Sequence, residues 1–275
     1  MSVHGEAPFE RGNLPPQRIT DPEENGLLRA LPPTANALLK HHLRLREFAQ
    51  GCVLWNAGDR LSQLYFPQSG LISMRVPTSE GYGIETGSVS REGVAGIEQM
   101  LGAGAAVTFG VAQIGGLYTT IDREIFVQAV HQNRTIAELA GLSQQWILRQ
   151  AQQLAACNAA HSAEARLCRW LLLVSDRTEN PTIPSTQESI ADALGVRRTT
   201  ITLLTHGLEA AGAIHNTRGK INIRKRALLQ NGACSCCGKL GWNNWPSNRL
   251  AALTQPALHE MGSSHSQELG HRHGA

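Results

Sequence analysis

The sequence predicts an α+β chain: an N-terminal β jelly-roll, a long connecting helix, and a C-terminal helix pair with a hairpin attached. Three observations lead there. From Leu43 to about Val130, short apolar runs alternate with Gly, Pro, Asn and Asp, with turn signals at roughly ten-residue intervals, as in sandwiches and barrels. From His131 to Ala160, an apolar stripe at helical spacing runs without a proline. Ser185 to Ile214, STQESIADALGVRRTTITLLTHGLEAAGAI, reads as two helices around a tight turn.

The 275 residues are enough for two small domains, and 41% hydrophobic with 17% charged residues suits a globular chain. The formal net charge is only +3, but it is unevenly spread: residues 197–226 hold seven basic residues against the single Glu209. Such a surface attracts phosphate or acidic partners. No apolar run reaches the ~18–20 residues that span a bilayer, and the first 26 residues lack the apolar core of a signal peptide. Six Cys, late and irregularly placed, do not form the framework of a small disulfide-rich domain. A reducing cytoplasm is the expected location.

In chain order, residues 1–26 are polar and rich in Pro, Gly and Glu, and are expected to be a mobile tail. Asn25–Leu31 and Pro33–His42 read as short helices, the second with Thr34 as its N-cap. Residues 27–130 form the β-roll domain. Asn56-Ala-Gly-Asp59 and Ser79-Glu-Gly81 are its clearest turns, because these residues tolerate the backbone angles that turns require. Asp122–Val130 is a short helix. Residues 131–160 then form a helix whose stripe is Ile136, Leu139, Ala140, Leu142, Ile147, Leu148, Leu154 and Ala155. A helix between two domains is poorly covered by either, so this stripe is expected to pair with a second copy.

Residues 161–233 make the C-terminal domain. His161–Ser175 is amphipathic, and Asn180-Pro-Thr-Ile-Pro184 breaks the chain. Ser185-Thr-Gln-Glu188 has the form of a capping box. Ile190, Ala191 and Leu194 give the first helix an apolar face, and Gly195 permits the left-handed turn. The second helix, Arg197–Ala211, is expected to bury Ile201, Leu204, Leu208 and Ala211, which leaves Arg197, Arg198, Thr199, Thr200 and Thr202 near its exposed N-terminal end. A recognition helix meets the major groove there: Arg reads guanine O6 and N7, and Thr contacts phosphate or a thymine methyl. Gly207, inside that helix, costs on the order of 1 kcal/mol relative to Ala, and only a close helix crossing would explain it. Residues 213–223 read as a wing hairpin with Arg218-Gly219 at its tip, placing Arg218 and Lys220 for backbone phosphates, and Leu228 and Leu229 close the domain with a short helix. With Ser185 and Thr186 at the start of the first helix, these are the candidate DNA contacts.

The phrases LYFPQSGLISM, SREGVAG, AACNAAHSAEARLCRWLL, TQESIADALGVRRTTITLLTHGLEAAGAI and RGKINI, with a Cys-rich motif after the wing, resemble the Crp/Fnr family of bacterial transcription regulators, and most closely its alphaproteobacterial-type members. The resemblance covers about residues 27–237. It implies a cyclic-nucleotide-binding-like jelly-roll, a dimerisation helix and a winged helix–turn–helix. It also implies a homodimer that binds a palindromic promoter site on double-stranded DNA and raises or lowers RNA polymerase recruitment. Two departures narrow this. Cyclic-nucleotide-responsive members hold the cyclic phosphate with an Arg after a Gly-Glu stretch, whereas SREGVAGIEQMLGAGAAVTFGVAQ has none between Gly93 and Gln113, so no cyclic nucleotide cofactor is expected. The N-terminal cysteines of the oxygen-sensing members are absent from the first 51 residues. In the recognition helix Arg198 matches the family's Arg, while Thr199 and Leu203 replace an acidic residue and a second Arg, so base preference should differ from that of the best-known members.

Residues 234–275 form a Gly-, Ser- and His-rich tail. Its Cys234, Cys236 and Cys237 could make the protein a metal- or redox-responsive regulator, with His259, His265, His271 or His273 as further ligands. C-x-C-C spacing nevertheless lacks the paired thiols of a structural zinc site, and no metal site is assigned from it. Cys157 and Cys168 read as small buried hydrophobes. No nucleophile elbow, phosphate-binding loop or zinc-protease motif occurs, so an enzyme is not expected. A ligand-binding protein without DNA activity is the second alternative.

Overall fold

The computed structural model describes residues 17–18, 25–79, 81, 83–99, 104–236 and 238. Most of the expected N-terminal tail, and the C-terminal tail with Cys237 and the four late histidines, lie outside the described residues.

Two four-stranded antiparallel sheets form the β-roll. Strands β1 (Gln17–Arg18), β2 (Arg44–Phe48), β4 (Gln63–Pro67) and β8 (Gly116–Asp122) make one sheet, in the order β1-β2-β8-β4. Strands β3 (Val53–Trp55), β5 (Leu71–Pro77), β6 (Gly83–Val89) and β7 (Phe109–Ile114) make the other, in the order β3-β7-β5-β6. Gln17 and Arg18, expected within the mobile tail, pair instead with Leu45 and Arg44 at the edge of the first sheet. Within the roll, Trp55 and Tyr65 stack at 5.7 Å, and Phe48 meets Tyr118 edge-on at 5.4 Å.

Helices close one side of the roll. Helix α1 (Gly26–Arg29) starts at Asn25, whose buried side chain accepts from the Leu27 and Leu28 amides and donates to Pro67 O and Gly93 O. Helix α2 (Pro33–Leu39) starts two residues earlier than Thr34 as N-cap suggested. Pro32 is its N-cap without a side-chain bond, and Pro33 takes the first helical position, where its missing N–H costs nothing. Helix α3 (Arg123–Gln132) leads into α4 (Arg134–Ala160), whose N-cap Asn133 accepts from the Ile136 amide. The N-terminal half of the α4 stripe (Ile136, Leu139, Ala140, Leu142) is buried together with Trp146 in one core with Leu27, Leu39, Phe66 and Phe126. The intramolecular core therefore takes this half of the stripe, while Leu148 is 58% exposed and Ala155 is also exposed.

The C-terminal part comprises α5 (Ala163–Thr178), β9 (Thr182–Pro184), α6 (Gln187–Leu194), α7 (Arg198–Ala210), β10 (Ile214–Thr217), β11 (Lys220–Ile223) and α8 (Arg226–Gly232). The segment read as a simple break contains β9, which pairs with β11 and makes the hairpin a three-stranded sheet. Its core unites Leu167, Leu171, Ile183, Ile190, Ile201 and Leu229, and it also takes in Leu71 and Ile114 from the β-roll. Ala211, expected to be buried, is the exposed C-cap of α7, and Thr205 occupies the buried face instead.

Two glycines separate conformational need from tolerance. Gly195 has φ +62°, and a Cβ there would lie 3.1 Å from Ile84 of β6. Gly207 has open space where its Cβ would be, so no close helix crossing accounts for it. Urea unfolding should show Gly195→Ala destabilised by about 1–2 kcal/mol and Gly207→Ala stabilised by about 0.5–1 kcal/mol.

Candidate nucleic-acid interface

Thr186, not Ser185, caps α6: its hydroxyl accepts from the Ser189 amide at 3.1 Å. The N-cap thus lies one residue later than expected. The position three residues on is Ser189, whose hydroxyl donates to Gln113 at 3.1 Å, so the Ser185–Glu188 capping box does not form and Ser185 has another task. It is 2% exposed, and its hydroxyl accepts from Gln113 Nε2 at 3.0 Å. The expectation that Ser185 contacts DNA is corrected on that ground, since its oxygen is turned to the β-roll. Gly195 ends α6 in the left-handed conformation that the turn requires.

Helix α7 begins after Arg197, which caps it without a side-chain bond. Arg197, Arg198 and Thr199 are exposed, and Thr200 is half-buried. Thr202 also departs from expectation. Its hydroxyl donates to Gln187 Oε1 at 2.7 Å, while Gln187 Nε2 donates to the buried Thr205 hydroxyl at 3.3 Å. Gln187 therefore fastens α6 across α7, and Thr202 serves this helix–helix bond rather than an outward contact. Leu203, one position on, is 74% exposed.

The wing is held against α7 by Glu209. Its carboxylate accepts from the Asn216 amide at 2.9 Å and lies 2.9 Å from His215 Nδ1. The Asn216 amide, with His215 beside it, holds this carboxyl below its ordinary range. Gly219, at φ +75°, makes the tip turn, and Arg218 and Lys220 flank it in the open. The N-terminus of α6, the start of α7 and the wing tip surround a cleft of about 470 Å³, lined in part by Thr186, Glu188, Arg198 and Arg218. Four of the sequence-predicted residues, Ser185, Thr186, Arg198 and Arg218, thus meet around one concavity, with two guanidinium groups and a helix N-terminus suited to phosphate.

Behind this face lies a polar seam that sequence reasoning missed. Arg75 of β5 donates to Ser73 Oγ at 3.0 Å and to Gln113 Oε1 at 2.5 Å, and reaches Ser189 of α6 at 3.4 Å. Its Nη1 is 3.9 Å from Asp192. Burial lowers Arg75 from its ordinary value, and Glu85 and Asp192 offset only part of this. Burial likewise pushes Glu85 upward, against the 2.6 Å hydrogen bond it accepts from Ser73. Arg177, near the end of α5, enters the same boundary, donating to Ser88 Oγ at 2.6 Å and to Gln150 of α4 at 3.2 Å, and pairing with Glu92 at 3.6 Å. In the β-roll itself, a cavity of about 460 Å³ is lined by Arg46, Cys52, Trp55, Asp59, Arg60 and Tyr65. Among the described residues no helix is long and apolar enough to cross a membrane.

Residues 165–231 match the Crp-like helix–turn–helix domain. The fold is that of the Crp/Fnr regulators. A Crp/Fnr-family regulator described as putative, from Eubacterium rectale, superposes with a TM-score of 0.61 at 18% identity, over 75% of this chain and 96% of that one. FixK2 from Bradyrhizobium japonicum gives 0.59 at 16% identity, over 70% and 98%. The c-di-GMP-responsive global regulator CLP from Xanthomonas campestris gives 0.57 at 16% identity, over 69% and 98%. No curated protein sequence matches the chain. The match to the helix–turn–helix family begins within α5, so it includes Arg166, which donates to Asn158 of α4 at 2.9 Å, and Arg177, which donates to Ser88 of β6.

Glu92 and Arg177 are 1% and 2% exposed, so neither charge has water as an alternative partner. Arg177→Met alone should cost about 3–5 kcal/mol in urea unfolding. Adding Glu92→Gln should recover a substantial part of that loss in a double-mutant cycle.

Proposed function

We propose that the protein is a sequence-specific DNA-binding transcription regulator that acts as a homodimer on an inverted-repeat promoter site and thereby alters RNA polymerase recruitment. The observation that carries this reading is the convergence of Arg198, the α6 N-terminus and Arg218 on one open cleft, with Arg197, Thr199 and Lys220 exposed beside it. In this arrangement the N-terminal turn of α7 enters the major groove. Arg198 reads a base edge, Thr199 and Thr200 lie against bases or phosphates, and Arg218 and Lys220 hold the flanking backbone.

The second copy is supplied by the outward side of α4. Gln145, Leu148, Gln152, Ala155 and Ala159 are exposed and recur at helical spacing, and small residues among them allow a close approach of two helices. A two-fold pair of α7 helices would then face half-sites about one helical turn, ~34 Å, apart. No cyclic nucleotide cofactor is invoked. Glu92 is engaged with Arg177 and accepts from the Ser90 amide at 3.1 Å, which leaves it committed to the fold rather than to a ligand.

Gel-shift titration with an inverted-repeat duplex, selected from random sequence, should give a dimer complex whose affinity falls steeply with salt. No shift at low salt would reject the reading. Arg198→Ala should lose about 1–3 kcal/mol at one base pair per half-site and relax preference there, whereas Lys220→Ala should weaken all duplexes alike and reduce the salt slope. Leu148→Glu should convert the dimer to monomer in sedimentation equilibrium while the circular dichroism spectrum stays unchanged.

A further inference from the structure

The last turn of α4 carries Cys157 and, as its C-cap, His161. The His161 amide donates to the Cys157 carbonyl at 3.1 Å, so the two residues stand one turn apart on one side of the helix end. After α8 the chain turns extended at Ala233, whose amide donates to Leu229 O at 2.8 Å, and this brings Cys234 and Cys236 to the same place. The three sulfur atoms and an imidazole nitrogen all lie within 4.8 Å of one another. Cys157 and Cys234 are buried, His161 and Cys236 are half-buried, and no disulfide joins the thiols.

We propose that Cys157, His161, Cys234 and Cys236 bind a single zinc ion in a closed, tetrahedral structural site. Zinc–sulfur bonds of about 2.3 Å set the edges of such a tetrahedron near ~3.8 Å, so small side-chain rotations bring the four ligands to bonding distance. Two further features fit an ion at the centre. His161 Nδ1 is buried and has no hydrogen-bond partner among the described residues. Arg169 of α5 is 2% exposed, forms no ion pair among the described residues, and donates from Nη1 to Cys234 Sγ at 3.7 Å. Three thiolates and a neutral imidazole around a dication leave one negative charge, which that guanidinium offsets as an outer-shell donor. Sulfur-rich tetrahedral ligation excludes magnesium and calcium, and four protein ligands leave no open position for catalysis. The ion would join the end of α4 to the segment beyond α8, clamping the far end of the DNA-facing domain to the helix that precedes it.

The full-length protein, purified without chelator, is assayed for metal by elemental analysis, with release followed by a zinc chromophore as the thiols are blocked. About one zinc per chain is expected. Cys157→Ser and Cys236→Ser should each weaken zinc retention by more than about tenfold, whereas Cys168→Ser and Cys52→Ser should retain it. Should the ligand variants fail to fold, cobalt exchanged into the wild-type protein should show thiolate charge-transfer bands and the intense visible bands of tetrahedral coordination. Four results would overturn the proposal: no tightly held metal after incubation with zinc, iron accompanied by acid-labile sulfide, octahedral cobalt bands, or equal zinc loss in Cys168→Ser. Each readout is independent of DNA binding, so failure here and failure of the regulator reading are distinguishable.

Discussion

A single buried guanidinium joins the helix–turn–helix domain to the β-roll and to the long helix. Arg177 leaves α5, the first helix of the helix–turn–helix domain, and meets Ser88 of β6, Gln150 of α4 and Glu92 in the loop after β6. These partners belong to the β-roll and to the long helix, so one side chain pins three parts of the protein to each other. A buried charge is tolerable only when fully paired, and this pairing needs all three elements in register. Arg75 repeats the arrangement from the other direction, reaching out of β5 to Ser189 at the start of α6. Apolar contact completes the boundary, with Leu71 and Ile114 of the roll packed in the same core as Ile183 and Ile190.

The two ends of α4 have different environments. Its first half, Ile136 to Trp146, belongs to the intramolecular core that includes α1, α2 and α3. Past Gln150 little of it is buried until Cys157, and its outward side carries alanines and one exposed leucine. Continuous apolar periodicity therefore served two purposes along one helix. Periodicity reports that a face is apolar, but not which partner covers it.

That distinction describes what the sequence could and could not convey. The helix–turn–helix was legible because its signals are local: the apolar spacing of Ile190 and Leu194, the left-handed Gly195, and Ile201 and Leu208 on the following helix. The order of the parts was legible from the change of period and from the resemblance carried by the motifs. Strand β9 was not, because three residues ending in proline look like a linker until β11 supplies their hydrogen bonds. Ser185 and Thr186 both have capping hydroxyls, and only the distant Gln113 decides which one caps. Thr202 and Thr205 likewise depend on Gln187, fifteen and eighteen residues back. The cysteine and histidine cluster was hidden for the same reason: the C-x-C-C run looks incomplete until α4 brings the other two side chains to it.

The docking of α6 on the β-roll has a thermodynamic corollary. Ser185, Ser189 and Asp192 face Gln113 and Arg75, so the start of the helix that packs on α7 takes its polar partners from strands β5 and β7. Any ligand that favours one geometry of those strands over another changes the free energy of the docked arrangement. By reciprocity, any partner that selects one orientation of α7 must change the strands' affinity for that ligand by the same factor. The seam is thus a two-way coupling: whatever shifts the geometry of β5 and β7 is felt at α6, and whatever reorients α6 and α7 is felt at those strands.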